Sequence, residues 1–109
     1  MSVRDNAWQM ANALSKKEIS AVELANQHYE QIQAVDKDVH AFLYLDKEGA
    51  LAQANEVDKK RAAGEKLSPL AGVPLALKDV MTQKDVPTTC GSKILENWRP
   101  PYDSTVVTK

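Results

Sequence analysis

The run "GVPLALKD", residues 72–79, ends a small, apolar segment with one lysine, Lys78. Such a lysine has two uses. Its stem can lie on apolar surface with the ammonium in water, or the amine can act as a base. A free ammonium has a pKa of about 10.4, so the second use needs desolvation or a neighbouring positive charge to lower that value. An apolar run leading into the lysine is one source of desolvation. Asp79 follows directly, but adjacent residues in an extended chain point to opposite faces, so proximity in sequence does not make a salt bridge. Downstream, "TTCGS", residues 88–92, places Gly91 among Thr88, Thr89 and Ser92. The glycine permits an unusual dihedral and the hydroxyls suit a polar pocket; an ordinary turn is the competing reading.

Other chemistries find less support. Cys90 is the one cysteine and lacks a CxxC partner or a paired histidine, which a thiol nucleophile needs. His28 and His40 belong to no metal-ligand spacing. Neither GxGxxG nor GxxxxGK[ST] occurs, so no phosphate cradle is encoded.

These residues need a scaffold, and the first half of the chain reads as helical. In "DNAWQMANAL" Ala7, Met10, Ala11 and Leu14 recur at helical spacing, and "SKKE" breaks the pattern. Ser20 and Glu23 form a capping box for a second helix, whose stripe of Val22, Ala25, Tyr29 and Ile32 predicts an end near Val35. "HAFLYL", residues 40–45, reads as a buried strand. Asp46 then caps a third helix with Ala50, Ala54, Val57 and Arg61 on one side and Gly64 as its left-handed stop. Beyond it Pro69, Gly72, Pro74, Pro87, Gly91, Pro100 and Pro101 punctuate short apolar pieces, of which "VPLAL", residues 73–77, is a candidate strand. Asp103 or Ser104 can start a last helix through Val106 and Val107.

The bulk numbers set limits. With 109 residues the chain supports one modest core. Its 14 Lys+Arg against 15 Asp+Glu give a net charge of −1, without the basic excess that nucleic-acid backbones select. A single cysteine suits a reducing compartment and makes a cytoplasmic location the expectation. No apolar run approaches the ~18 residues of a membrane span.

Taken together, "LAGVPLALKDVMTQKDVPTTCGSKILENWRPPYDSTVV" resembles the amidase-signature family, and "SKKEISAVEL" resembles the helical lead-in of the same proteins. The "TTCGSKILE" segment resembles their tRNA-dependent amidotransferase branch. The resemblance implies an α/β fold, with helices packed on a mixed β-sheet and incomplete in this chain. It makes residues 1–109 the front part of a single domain, with a helical lead-in at about 5–63 and a strand and active-site loop region at about 70–109. It makes Lys78 the base of a Ser, cis-Ser, Lys triad that hydrolyses glutamine to supply ammonia. The implied partners are amidotransferase B and C subunits, glutamine, and Glu-tRNA(Gln) or Asp-tRNA(Asn) reached through the complex. ATP and Mg2+ are implied for the partner subunit, and no cofactor for this chain.

One departure from the family is large. Its triad serines stand in a Gly/Ser-rich signature downstream of the lysine, and none of Ser2, Ser15, Ser20, Ser68, Ser92 and Ser104 has that context. The expectation is a piece of a longer protein, inactive alone. Two other readings stay open: a non-catalytic interaction module that keeps the scaffold, and part of an amidase for small amides.

Overall fold

The computed structural model describes Ser2 and residues 4–109. Among these residues the elements are α1 (Ala7–Ser15), α2 (Ala21–Val39), α3 (Lys47–Ala62), a 3₁₀ turn at Lys93–Leu95 and α4 (Thr105–Thr108). They divide into two compact units. One runs to Phe42 and resumes over Asp46–Pro74; the other comprises Leu43–Leu45 and Leu75–Lys109.

Local signals set the helix ends of the first unit. At α1, Asn6 Oδ1 accepts from Gln9 N at 3.0 Å and Gln9 Oε1 accepts from Asn6 N at 2.8 Å, a reciprocal capping box. Ser20 and Glu23 repeat the device at α2, at 3.1 and 2.9 Å. Two further donors of α2, Ala21 N and Val22 N, reach the Asp58 carboxylate of α3 at 2.8 and 3.1 Å. An anion there also complements the positive end of the helix dipole. α3 stops as the sequence predicts: Gly64 takes φ +75, while Gly64 N donates to Arg61 O and Glu65 N to Lys60 O, a Schellman motif. α1 ends the same way with Lys17, a non-glycine residue, at φ 59. α2 runs four residues past its expected end, because nothing breaks it until His40 adopts φ 52 as a left-handed cap.

The core lies where these helices meet. Met10, Leu14, Ala21, Leu24, Ala25 and Ala54 are buried together, with Ile19, Val22, Leu51, Val57 and Val73 packed partly against them. Gly72 closes the core from the loop after α3. Its φ is +93, and a Cβ there sits 3.0 Å from Ala21 Cβ and 3.3 Å from both Leu14 Cδ1 and Val57 Cγ1. Gly72→Ala is therefore expected to destabilise the helical unit by about 1–3 kcal/mol, from strain and overpacking together. A lower urea midpoint at constant slope is the readout; an unchanged midpoint would show that the helices simply part to admit the methyl.

Neither expected strand is present among the described residues, which is a correction to the sequence reading. Residues 41–45 are irregular and exposed, with Leu43 at 72%, and residues 73–77 are irregular too. The physical reason is that a strand exists only through a partner that takes its N–H and C=O groups. No described segment forms a backbone ladder with either run. The regular structure described is accordingly helical, and the mixed sheet is not seen in it.

The second unit is held by cross-loop hydrogen bonds more than by a core. Residues 82–88 and 98–104 are stapled at Ser104 N to Thr82 O (2.8 Å), Asp85 N to Pro100 O (2.9 Å) and Thr88 N to Trp98 O (3.2 Å). The carboxylate of Asp103 accepts from Lys84 N at 2.7 Å, so it fastens this staple, while Ser104 holds the N-cap position of α4 without a side-chain bond. Thr88 and Pro100 are the buried residues of the unit. No helix of the described residues is long and apolar enough to cross a membrane.

Candidate active site

Lys78 stands at the start of a tight turn in the second unit. Its carbonyl accepts from Val80 N at 2.8 Å and Met81 N at 3.0 Å. The side chain is exposed and forms no ion pair or hydrogen bond among the described residues. The apolar run before it is not a desolvating wall here: Leu75 is 82% exposed.

Asp79 does not pair with its neighbour. Its carboxylate takes two bonds from one residue, Thr89 N at 2.7 Å on Oδ1 and Thr89 Oγ1 on Oδ2. The main chain adds a third link, Cys90 N to Asp79 O at 2.8 Å. Burial works to raise the pKa of Asp79, but the bonds from Thr89, helped by the amides of Gly91 and Cys90, together hold it below the ordinary aspartate value. A depressed carboxylate pKa contributes stability that is present above the unfolded value and is lost as pH falls through the folded one. The Thr89 amide resonance is therefore expected to titrate with a midpoint below that of an exposed aspartate, the loop loosening on the acid side. A midpoint at the ordinary value would show that the clamp is not populated in solution.

The "TTCGS" segment serves as shaped backbone. Cys90 and Gly91 both adopt positive φ, 51 and 70, Gly91 N donates to Thr89 Oγ1 at 3.1 Å, and Ser92 N to Thr89 O at 2.8 Å. The freedom expected of Gly91 is used; that Cys90 shares the left-handed conformation had no sequence signal. Thr88 is 2% exposed, and Ser92 Oγ accepts from Ile94 N at 3.3 Å to cap the 3₁₀ turn. The Cys90 thiol is free and exposed.

The histidines are separated by the fold as by the sequence. His28 Nδ1 lies 2.8 Å from Leu24 O, one turn back along α2, and His40 is the helix cap. Among the described residues no three His, Cys, Asp or Glu side chains gather as a metal site.

A lysine at a tight turn, a clamped acidic neighbour and a glycine-bearing hydroxyl loop thus stand together between residues 78 and 92. The family model for Amidase matches residues 23–109, and the chain belongs to the amidase family. Its similar relatives include the glutamyl-tRNA(Gln) amidotransferase A subunits of several bacteria. The one from Acidothermus cellulolyticus is 58% identical over 107 residues, covering 98% of this chain and 21% of the relative. The protein of the same name in Salinispora tropica is 60% identical over 102 residues, 94% of this chain and 21% of the relative. In Streptomyces coelicolor the figures are 57% over 104 residues, 95% and 21%. The chain spans about a fifth of the length of these curated relatives. A solved structure described as an unexpected vestigial protein complex, revealing the evolutionary origins of an s-triazine catabolic enzyme, superimposes with a TM-score of 0.90 at 31% identity. It is covered over 23% of its length by 95% of this chain.

Proposed function

We propose that this chain is a segment of the A subunit of a glutamyl-tRNA(Gln) amidotransferase, carrying the lysine of its amide-hydrolysing centre. The observation that supports this most is identity of 57–60% to proteins of that name across 94–98% of the chain. In this reading the Lys78 amine is the base that takes a proton, through a bridging serine, from a nucleophilic serine. Both serines lie outside these residues. The nucleophile attacks the carboxamide carbon of glutamine. The proton taken from the serine is returned to the amide nitrogen so that the C–N bond breaks with ammonia leaving, and water then cleaves the glutamyl-enzyme. Ammonia then passes to a B subunit, which uses ATP and Mg2+ to amidate Glu-tRNA(Gln) or Asp-tRNA(Asn), with a C subunit completing the complex in the cytoplasm. Residues 40–45 and 73–77 become strands of a mixed sheet once other segments of the same domain supply their ladder partners.

The experiment is an ammonia-release and tRNA-amidation assay on two samples. The full-length protein carrying this segment, assembled with its B and C subunits, is expected to release ammonia from glutamine and amidate Glu-tRNA(Gln) with ATP. The isolated 109-residue chain is expected to release ammonia only at the buffer rate, since a base without its nucleophile leaves the covalent route closed. Hydrolysis of small amides without tRNA amidation by the full complex would move the assignment to a generic amidase. Ammonia release by the isolated chain that disappears in Lys78→Ala would overturn the requirement for the absent serines.

A further inference from the structure

The Lys78 side chain is anchored by nothing of its own, whereas the residue beside it is held at three points. Asp79 Oδ1 accepts from Thr89 N at 2.7 Å, Asp79 Oδ2 accepts from Thr89 Oγ1, and Asp79 O accepts from Cys90 N at 2.8 Å. Thr89 in turn is fixed from behind. Thr88 is buried and donates its amide to Trp98 O at 3.2 Å, and Ser92 N closes on Thr89 O at 2.8 Å. On the other side, Val80 N and Met81 N tie the turn back to the carbonyl of Lys78 at 2.8 and 3.0 Å. A continuous set of bonds thus leads from Trp98 through Thr88, Thr89 and Asp79 to the backbone of Lys78.

We propose that Asp79 is a positioning residue for Lys78: by gripping Thr89 through both carboxylate oxygens, it fixes the backbone frame from which the lysine side chain departs. The proposal rests on the reading of Lys78 as the base of the amide-hydrolysing centre. With the frame fixed, only the lysine's own torsions remain to be ordered when substrate binds. Without it the turn at residues 78–81 and the loop at 88–92 are free to drift apart, and misplacement of a reacting group by about 1 Å can cost about 100-fold in rate. Negative charge on Asp79 strengthens the grip, since a carboxylate accepts shorter and stronger bonds than a neutral oxygen. Shape rather than charge is nevertheless the essential property. Asparagine at this position keeps one oxygen for Thr89 N and presents an amide that can donate to Thr89 Oγ1.

The test uses the full-length protein with its partner subunits, comparing Asp79→Ala, Asp79→Asn and Lys78→Ala in glutamine-dependent and ammonia-dependent amidation. Asp79→Ala is expected to lower kcat for the glutamine-dependent reaction about 100-fold with KM for glutamine little changed. Asp79→Asn is expected to recover most of that loss, to within about tenfold of the parent, the value of one weakened hydrogen bond. Amidation from added ammonia should remain at the parent rate in both. Equal losses in Asp79→Asn and Asp79→Ala would overturn the positioning role in favour of an electrostatic one, and parallel loss of ammonia-dependent amidation would reduce Asp79 to a folding residue. Parent activity in Asp79→Ala, with Lys78→Ala inactive, would overturn this proposal alone. Activity in Lys78→Ala would overturn the base assignment and this proposal with it. If Asp79→Ala fails to accumulate, Thr89→Ser and Thr89→Val take its place. The serine variant keeps the hydroxyl and should retain activity, while the valine variant should lose about tenfold in kcat; equal activities would overturn the clamp.

Discussion

Lys78→Ala in the full-length protein is expected to lower glutamine-dependent amidation by about 10²–10⁴-fold, the contribution of a positioned general base, while amidation from added ammonia proceeds at the parent rate. The two halves of this result have separate causes. Glutamine hydrolysis needs a group that removes the nucleophile's proton, and alanine has none. Transfer of ammonia to the activated tRNA belongs to the partner subunit in the proposed arrangement, so ammonia supplied from solution bypasses the missing base. The location of Lys78 supports the separation. It is exposed and forms no ion pair or hydrogen bond among the described residues, so its removal takes no packing from the helical core or from the staple between residues 82–88 and 98–104. Arginine at this position is the stricter control: it keeps the charge and length but cannot be deprotonated. Lys78→Arg should be as inactive with glutamine as Lys78→Ala. Loss of both amidation reactions would instead show that Lys78 holds the complex together, and a glutamine-active Arg variant would show that only its charge matters.

That helix caps and the apolar side of α3 were legible from sequence, while the surroundings of Lys78 were not, follows from the range of the interactions. The capping box of Ser20 and Glu23 and the left-handed stop at Gly64 are decided within a few residues, so a local pattern suffices to find them. The apolar side of α3 was also readable: Ala50, Ala54, Val57 and Arg61 are all shielded to some degree, as the 3.6-residue period requires. Asp58 was a different matter. No local pattern marks it, since it closes the start of α2 from a distance of 37 residues in sequence. Asp79 and Thr89, ten residues apart across a turn, raise the same difficulty, since no periodicity relates them. The strands failed for a third reason. "HAFLYL" and "VPLAL" have the composition of strands, but composition states only what a segment can do beside a partner, and among the described residues each lacks one.

Leu24→Ala is expected to remove about 2–5 kcal/mol from the stability of the helical unit, because Leu24 is fully buried and its loss leaves a cavity lined by residues that cannot all collapse into it. Folded chains of this length are stable by only about 5–15 kcal/mol. The core available to resist the change is small and rich in alanine: around Leu24 lie Met10, Leu14, Ala21, Ala25 and Ala54. Alanine contributes a single methyl, so Met10, Leu14 and Leu24 hold most of the apolar volume, and each carries a large share of the total. A fall in Tm of at least about 8 °C in far-UV circular dichroism is the expected readout for a unit of this size. Ile94→Ala supplies the contrast, since Ile94 is 94% exposed and its truncation should leave Tm unchanged. Hydrogen exchange on the parent chain should show the same division. Amides of α2 and α3, bonded within helices and covered by this core, should exchange more slowly than those of residues 80–93, whose bonds cross exposed loops. Strong uniform protection over residues 73–94, or equal Tm shifts in Leu24→Ala and Ile94→Ala, would show that the second unit carries stability which its few buried residues, Thr88 and Pro100 among them, do not explain.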